Sequence, residues 1–306
     1  MYTCRHELSS IPPFDFNLSA RSFLTGDPQI QKYKNGKYWQ IIRVKGSLVH
    51  LSVRALGTVD SPLLLVKLQS QEELSASDQK VALDIVHFIF NLQLDLNSFY
   101  EEVQNDKILT KVVQHLRGLK TISTATPFEA LVLSIIEQQI SQNAAHRIEQ
   151  KFVKQFGDVL QIDGDSYYTF PAPGKLASAR TAELREFGLT QRKAEYICEA
   201  SRKVADGTLD FEKLRSYDDV NDIINELRKI RGIGIWTAQM TTVSGLQRLD
   251  YYPGGDLGLR RVVSHYYCRG RKVTNHEVHK IAEKWGTLKG LAESYIMAAE
   301  REKVPV

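Results

Sequence analysis

The chain has 306 residues, 42% hydrophobic and 25% charged, with a net charge of +4. This is globular composition with chain enough for two or three lobes; no apolar run nears the roughly 18 residues of a membrane helix, and MYTCRHELSS at the start has no apolar core of a secretory signal. Three widely separated cysteines, Cys4, Cys198 and Cys268, exclude a disulfide framework and a CxxC metal knuckle, and point to a reducing, cytoplasmic setting.

In chain order, YWQIIRVKGSLVHLSVRAL (38–56) is rich in β-branched and aromatic residues and is broken at 45–47, which predicts a hairpin; LLLVKL (63–68) predicts a further strand. VALDIVHFIFNL (81–92) has the spacing of a helix laid on such a sheet. From about residue 110 the pattern is helical. TPFEALVLSIIEQQIS (126–141) opens with Thr126 as cap, Pro127 at the first helical position and Glu129 to complete a capping box. A second helix is expected from Thr190 to Gly207, a third after the Thr274–Glu277 capping box, and a last one carrying Leu291, Tyr295 and Ala298. The predicted fold is α+β: a small antiparallel sheet domain over 1–110, packed on a two-lobed helical domain over 111–306.

The charge is uneven. Residues 1–115 hold 12 basic and 12 acidic side chains, whereas 257–289 hold 8 basic against 2 acidic, Glu277 and Glu283. Such a stretch can neutralise phosphates, or it can be a solvated surface.

In DDVNDIINELRKIRGIGIWTAQM (218–240), Val220, Ile223, Ile224, Leu227 and Ile230 keep helical spacing up to Gly232 and Gly234, and Trp236, Ala238 and Met240 continue it beyond. The glycines therefore join two helices, which argues against a dinucleotide fold, since that needs a preceding strand. A glycine-rich turn feeding a helix start can bring backbone N–H groups against a phosphate; it can also be a plain αα-hairpin with glycines for close packing. Further on, Asp256 follows Pro253, Gly254 and Gly255 and precedes Leu259, Val262, Val263 and Tyr266 at helical spacing. It is well placed to cap a helix, the ordinary role of an Asp there, and a carboxylate at such a corner is also a means of holding a negative charge at a DNA surface.

Together these features resemble the helix-hairpin-helix superfamily of DNA glycosylases. LRKIRGIGIWTA resembles its hairpin, within about 218–246, and the corner ending in Asp256, twenty residues after Trp236, resembles its catalytic loop. EQQIS (137–141) is similar to the Gln-containing helix end at the lesion site, and GLTQRKAEYI (188–197) to another family segment. PPFDF (12–16), ahead of a β-rich region, resembles the alkylation-repair branch, the 3-methyladenine DNA glycosylase II type.

The resemblance implies the following roles. Asp256 is catalytic, stabilising an oxocarbenium-like sugar and orienting or deprotonating water. Trp236, Gln138 and Met240 line the base pocket, Gln139 is the wedge inserted into the duplex, and Arg231, Gly232, Ile233, Gly234 and Arg260 meet the DNA backbone. Family members that also cut the strand carry a Lys where this chain has Trp236, so no lyase step is expected. Only Cys268 falls where relatives carry four iron–sulfur cysteines, so no cluster, catalytic metal or other cofactor is expected. Met240 stands where some members have Tyr, and LAESY (291–295) where Trp-Arg-Ser-Tyr occurs. The implied protein is a monomer that works on duplex DNA containing a damaged base, away from membranes, and associates with the nucleoid if its source is bacterial or archaeal. It hydrolyses the N-glycosidic bond of alkylated purines of the 3-methyladenine and 7-methylguanine class in base excision repair. A non-catalytic DNA-binding protein, a glycosylase for an oxidised or mismatched base, and a helical scaffold without nucleic acid remain open alternatives. A separation above about 15 Å between Asp256 and the hairpin loop would remove the catalytic assignment.

Overall fold

The computed structural model describes residues 1–305. The chain begins with β1 (Tyr2–Ser9), the short helix α1 (Phe16–Ala20), β2 (Gln31–Lys34), β3 (Lys37–Val44), β4 (Ser47–Ala55) and β5 (Leu63–Ser70). The strands form one antiparallel sheet in the order β1-β5-β4-β3-β2. The predicted hairpin is β3–β4; Lys45 (φ 47°) and Gly46 (φ 106°) make its two-residue turn, whose positive φ values suit the right-handed twist of the strands. Alternation along β5 buries Leu64, Val66, Leu68 and Ser70 on one face. α2 (Ala76–Ile89) covers that face and packs Ala82, Val86 and Ile89 with Tyr38, Val49 and Leu51. It starts before residue 81 because Ser75 caps it, accepting the Asp78 N–H at 3.2 Å, and it ends short of residue 92 because Asn91 turns left-handed at φ 51°.

The rest is mostly helical: α3 (Asn97–Glu102), α4 (Lys107–His115), α5 (Pro127–Glu137) and α6 (Gln142–Phe156) precede a small hairpin of β6 (Val159–Ile162) and β7 (Asp165–Tyr168). Then come α7 (Pro173–Ser178), α8 (Thr181–Arg185), α9 (Gln191–Ala205), α10 (Phe211–Arg215), α11 (Val220–Arg228), α12 (Ile235–Leu246), α13 (Leu257–Cys268), α14 (Asn275–Ala282) and α15 (Lys289–Glu302). The α+β expectation holds. The β6–β7 hairpin is an addition to it, made by Asp163 (φ 51°) and Gly164 (φ 90°); the Asp-Gly pair in QIDGDSYY was the available signal. Two apolar clusters divide the helices. One joins α5, α6, α9, α11 and α12 around Leu131, Ile135, Phe152, Ile197 and Leu227. The other joins α3, α4, α13, α14 and α15 around Phe99, Val112, Val262, Trp285 and Tyr295. No helix among the described residues is long and apolar enough to cross a membrane.

Thr126 caps α5, its hydroxyl accepting the Glu129 N–H at 3.1 Å. The reciprocal arm of the expected capping box is not made. Glu129 turns inward instead, 6% exposed, into a crevice shared with Gln40 and Ile42 of β3. Burial first, then the charge of Glu149, push its pKa from 4.5 up to about 8. A carboxyl that holds its proton more tightly folded than unfolded stabilises the fold least at high pH: the loss begins near pH 4.5 and is complete near pH 8. Glu129→Gln is therefore expected to change stability at pH 5 by less than about 1 kcal/mol and to add about 4 kcal/mol at pH 8, given about 1.4 kcal/mol per tenfold change in proton affinity. Denaturant unfolding at the two pH values measures this; an equal effect at both would refute it.

Candidate active site in the helical cleft

The hairpin is α11, the turn at 230–234, and α12. Val220, Ile223, Ile224 and Leu227 bury one face of α11, and Ile230 and Ile233 carry that apolar line through the turn. Gly232 sits at φ +86°, and a Cβ there would lie 2.1–2.4 Å from the ring of Tyr196 on α9. Gly234 opens α12 as its N-cap at φ −77°, and a Cβ there would meet nothing within 4 Å. The Ile233 N–H is committed to Ile230 O at 3.1 Å, whereas those of Gly232 and Gly234 have no acceptor among the described residues. Arg231 lies beside them, its guanidinium 5.7 Å from the Tyr196 ring centroid and 3.1 Å from the Glu195 carboxylate.

Asp256 caps α13: its Oδ1 accepts the Leu259 N–H at 2.9 Å, and its own N–H closes the preceding turn onto Pro253 O at 2.8 Å. Its other oxygen, Oδ2, accepts the indole N–H of Trp236 at 2.9 Å. The cap and the charge facing the hairpin are thus one carboxylate. The two sequence features lie within hydrogen-bond reach of each other, far inside the separation that would have undone the assignment.

Between the lobes lies an open cleft of about 1440 Å³. Gln138, Gln139, Arg231, Gly232, Ile233, Gly234, Trp236 and Asp256 all line it. α5 ends at Glu137 and not at residue 141, so Gln138 and Gln139 form a turn, with exposed Gln139 left-handed at φ 56°. The Gln138 amide Nε2 donates to Gly232 O at 3.1 Å and to Thr237 Oγ1 at 2.9 Å, bracing the hairpin from α5. Met240 and Arg260 are not among the lining residues. Met240 is half-buried one turn beyond Trp236. Arg260 donates from Nε and Nη2 to Val273 O at 3.1 and 2.7 Å, tying down the loop before α14. Its neighbours are similarly engaged, Arg261 with Glu300 at 2.6 Å and Arg271 with Glu277 at 2.7 Å. The cations around the cleft come instead from α9, α11 and the turn: Arg192, Lys203, Arg228, Lys229 and Arg231. Charge counted along the chain could not show this, because the two helices that supply it are separated in sequence.

Residues 132–287 match the family described as HhH-GPD superfamily base excision DNA repair protein. The chain belongs to that superfamily. A DNA-3-methyladenine glycosylase of Bacillus subtilis (strain 168) is 32% identical over 211 residues, 69% of this chain and 69% of that one. The solved 3-methyladenine DNA-glycosylase of Archaeoglobus fulgidus superposes with a TM-score of 0.84 at 23% identity, over 98% of this chain and 100% of that one. An 8-oxoguanine glycosylase/lyase of Clostridium acetobutylicum, solved with double-stranded DNA, gives 0.74 at 20% identity over 98% of each chain. At these identities the two structures speak for the fold, sheet included.

Four residues of this HhH-GPD protein gained a place that the sequence had not assigned them. Lys193 is 8% exposed and donates its ammonium to Ile136 O at 2.8 Å and Gln138 O at 2.5 Å, holding the carbonyl end of α5; burial lowers its pKa. Tyr196, one turn later, is the floor of Gly232. Glu137 and Glu293 both face Asp256. Burial first, then the Asp256 charge, raise each to about 7. All four lie inside the segments quoted above, GLTQRKAEYI, EQQIS and LAESY, but only the fold brings them to one place.

Proposed function

We propose that this protein is a monofunctional DNA glycosylase that extrudes alkylated purines, of the 3-methyladenine and 7-methylguanine class, from duplex DNA and hydrolyses their N-glycosidic bond. The observation that carries this reading is the Asp256 carboxylate fixed at the cleft by the Trp236 indole and the α13 N-terminus. The hairpin N–H groups of Gly232 and Gly234 and the side chain of Arg231 hold the phosphates, and Gln139 fills the gap left by the extruded nucleotide. Trp236 stacks against the base; a cationic purine on an aromatic face gains about 0.5–2 kcal/mol. The base is then a good leaving group, and Asp256 stabilises the positive charge that develops on the sugar while water adds to it. The protein acts as a cytoplasmic monomer and needs no cofactor for this hydrolysis.

A lyase step needs an amine that attacks the sugar carbon. Position 236 offers an indole, and the Lys193 ammonium in the cleft is held by two carbonyls. The name of the similar Bacillus protein favours alkylated over oxidised bases. The test is incubation with dimethyl-sulfate-treated duplex, with and without later alkali. Release of free 3-methyladenine, with strand breaks only after alkali, is expected. Breaks without alkali would overturn the monofunctional reading, and release from an 8-oxoguanine duplex alone would overturn the substrate class.

A further inference from the structure

We propose that Glu137 is a second catalytic residue of this cleft, one that hands a proton to the leaving base when that base is uncharged. The proposal rests on the glycosylase reading above and extends it to neutral lesions. A cationic alkylpurine needs no added proton to depart. An uncharged base would leave as an anion unless a ring nitrogen is protonated as the bond breaks, and that requires an acid on the base side of the sugar.

Glu137 lies in the cleft that, on the reading above, receives the extruded base. It is the last residue of α5 and lines the same cleft as Asp256 and Trp236. Asp256 accepts from two donors, the Leu259 and Trp236 N–H groups. The Glu137 carboxyl makes no hydrogen bond among the described residues and so has its proton to give. The groups around it agree. From α13 it faces Asp256, and from α6 Glu149, itself raised to about 7 by burial and by Glu137. From α9 comes Lys193, whose donors are engaged by the Ile136 and Gln138 carbonyls. α12 carries no ionisable side chain. Across Asp256 lies Glu293 of α15. Half-buried and beside these acids, Glu137 has its pKa pushed to about 7, the range in which a carboxyl can both hold and release a proton under working conditions.

The step balances. The C1′–N bond breaks with its electron pair going to the base, whose ring nitrogen takes the Glu137 proton. Water adds to C1′ and gives up a proton to Asp256 and then to solvent, and Glu137 regains a proton from solvent. The products are free base and an abasic sugar.

The test compares wild type with Glu137→Gln, which keeps shape but cannot donate an acidic proton. The probes are 3-methyladenine in dimethyl-sulfate-treated duplex, and duplexes carrying hypoxanthine or 1,N6-ethenoadenine. Wild type is expected to release both kinds, with neutral-base release falling as pH rises through about 7. Glu137→Gln is expected to lose about 30-fold or more on the neutral bases and to lose that pH dependence, with a loss at least about tenfold smaller on 3-methyladenine. An equal loss on both kinds would mean that Glu137 only supports the fold of the cleft, and would overturn the proposal. Wild type releasing 3-methyladenine but neither neutral base would also overturn it, leaving the glycosylase reading intact. Release of nothing by wild type would sink both.

Discussion

Asp256→Asn is expected to lower the rate of 3-methyladenine release by about 10³-fold or more while leaving DNA affinity unchanged or slightly higher. The reasoning begins with what the substitution keeps. Asn is as good a helix cap as Asp, so its Oδ1 can still accept the Leu259 N–H and α13 keeps its start. What it loses is the negative charge and one acceptor. The amide nitrogen that replaces Oδ2 is a donor and cannot accept the Trp236 N–H. The stability cost is that of one half-buried hydrogen bond, about 1–2 kcal/mol. The catalytic cost is larger, because a carboxylate beside a developing oxocarbenium acts mainly in the transition state. Single-turnover release and binding to an abasic duplex separate the two. Turnover within tenfold of wild type would move the catalytic charge away from Asp256. Loss of binding in parallel with turnover would make Asp256 a structural residue.

The parts of the fold legible in the sequence were those governed by short-range rules. Helical spacing up to Gly232 and beyond Gly234 fixed the hairpin, and a Pro-Gly-Gly corner before an amphipathic run fixed the cap at Asp256. Both depend on a few consecutive residues. The chemistry around Asp256 depends on residues distant in the chain. Glu137 and Glu293 come from α5 and α15, and no local pattern distinguishes them from solvated glutamates until both face the same carboxylate. No local pattern distinguishes Lys193 from the other cations of its charge-rich helix; burial against the end of α5 sets it apart. Arg260 errs the other way. It belongs to the most basic stretch of the sequence, yet its guanidinium serves the Val273 carbonyl. Glu129 matched a capping motif in which only one arm forms, because the first turn of α5 lies against β3 and draws the carboxyl inward. Linear charge and motif spacing cannot register such choices, since each is settled by what packs on the other side.

The two hairpin glycines should part company when each is replaced by alanine. Gly232→Ala is expected to cost about 3 kcal/mol in stability and at least about 100-fold in DNA affinity. Gly234→Ala is expected to change stability by less than about 1 kcal/mol and to weaken DNA binding about tenfold. At Gly232 two penalties combine: φ is +86°, which an L side chain adopts at a cost, and the new methyl would overlap the Tyr196 ring at 2.1 Å. Tyr196 stands on α9 between the hairpin and Lys193, so a displaced ring would shift the turn, the Arg231 side chain above it and the Gln138 bond to Gly232 O. At Gly234 the backbone is ordinary at φ −77° and the space around the Cβ is empty. An added methyl there is felt only when something approaches from outside, and on the present reading that is a phosphate oxygen. Binding to an undamaged duplex at several salt concentrations, with denaturant unfolding alongside, resolves the pair. A Gly234→Ala variant that binds DNA like wild type would remove the phosphate from this face of the hairpin, since an intruding methyl at the point of closest backbone approach must shorten the reach of the N–H groups beside it.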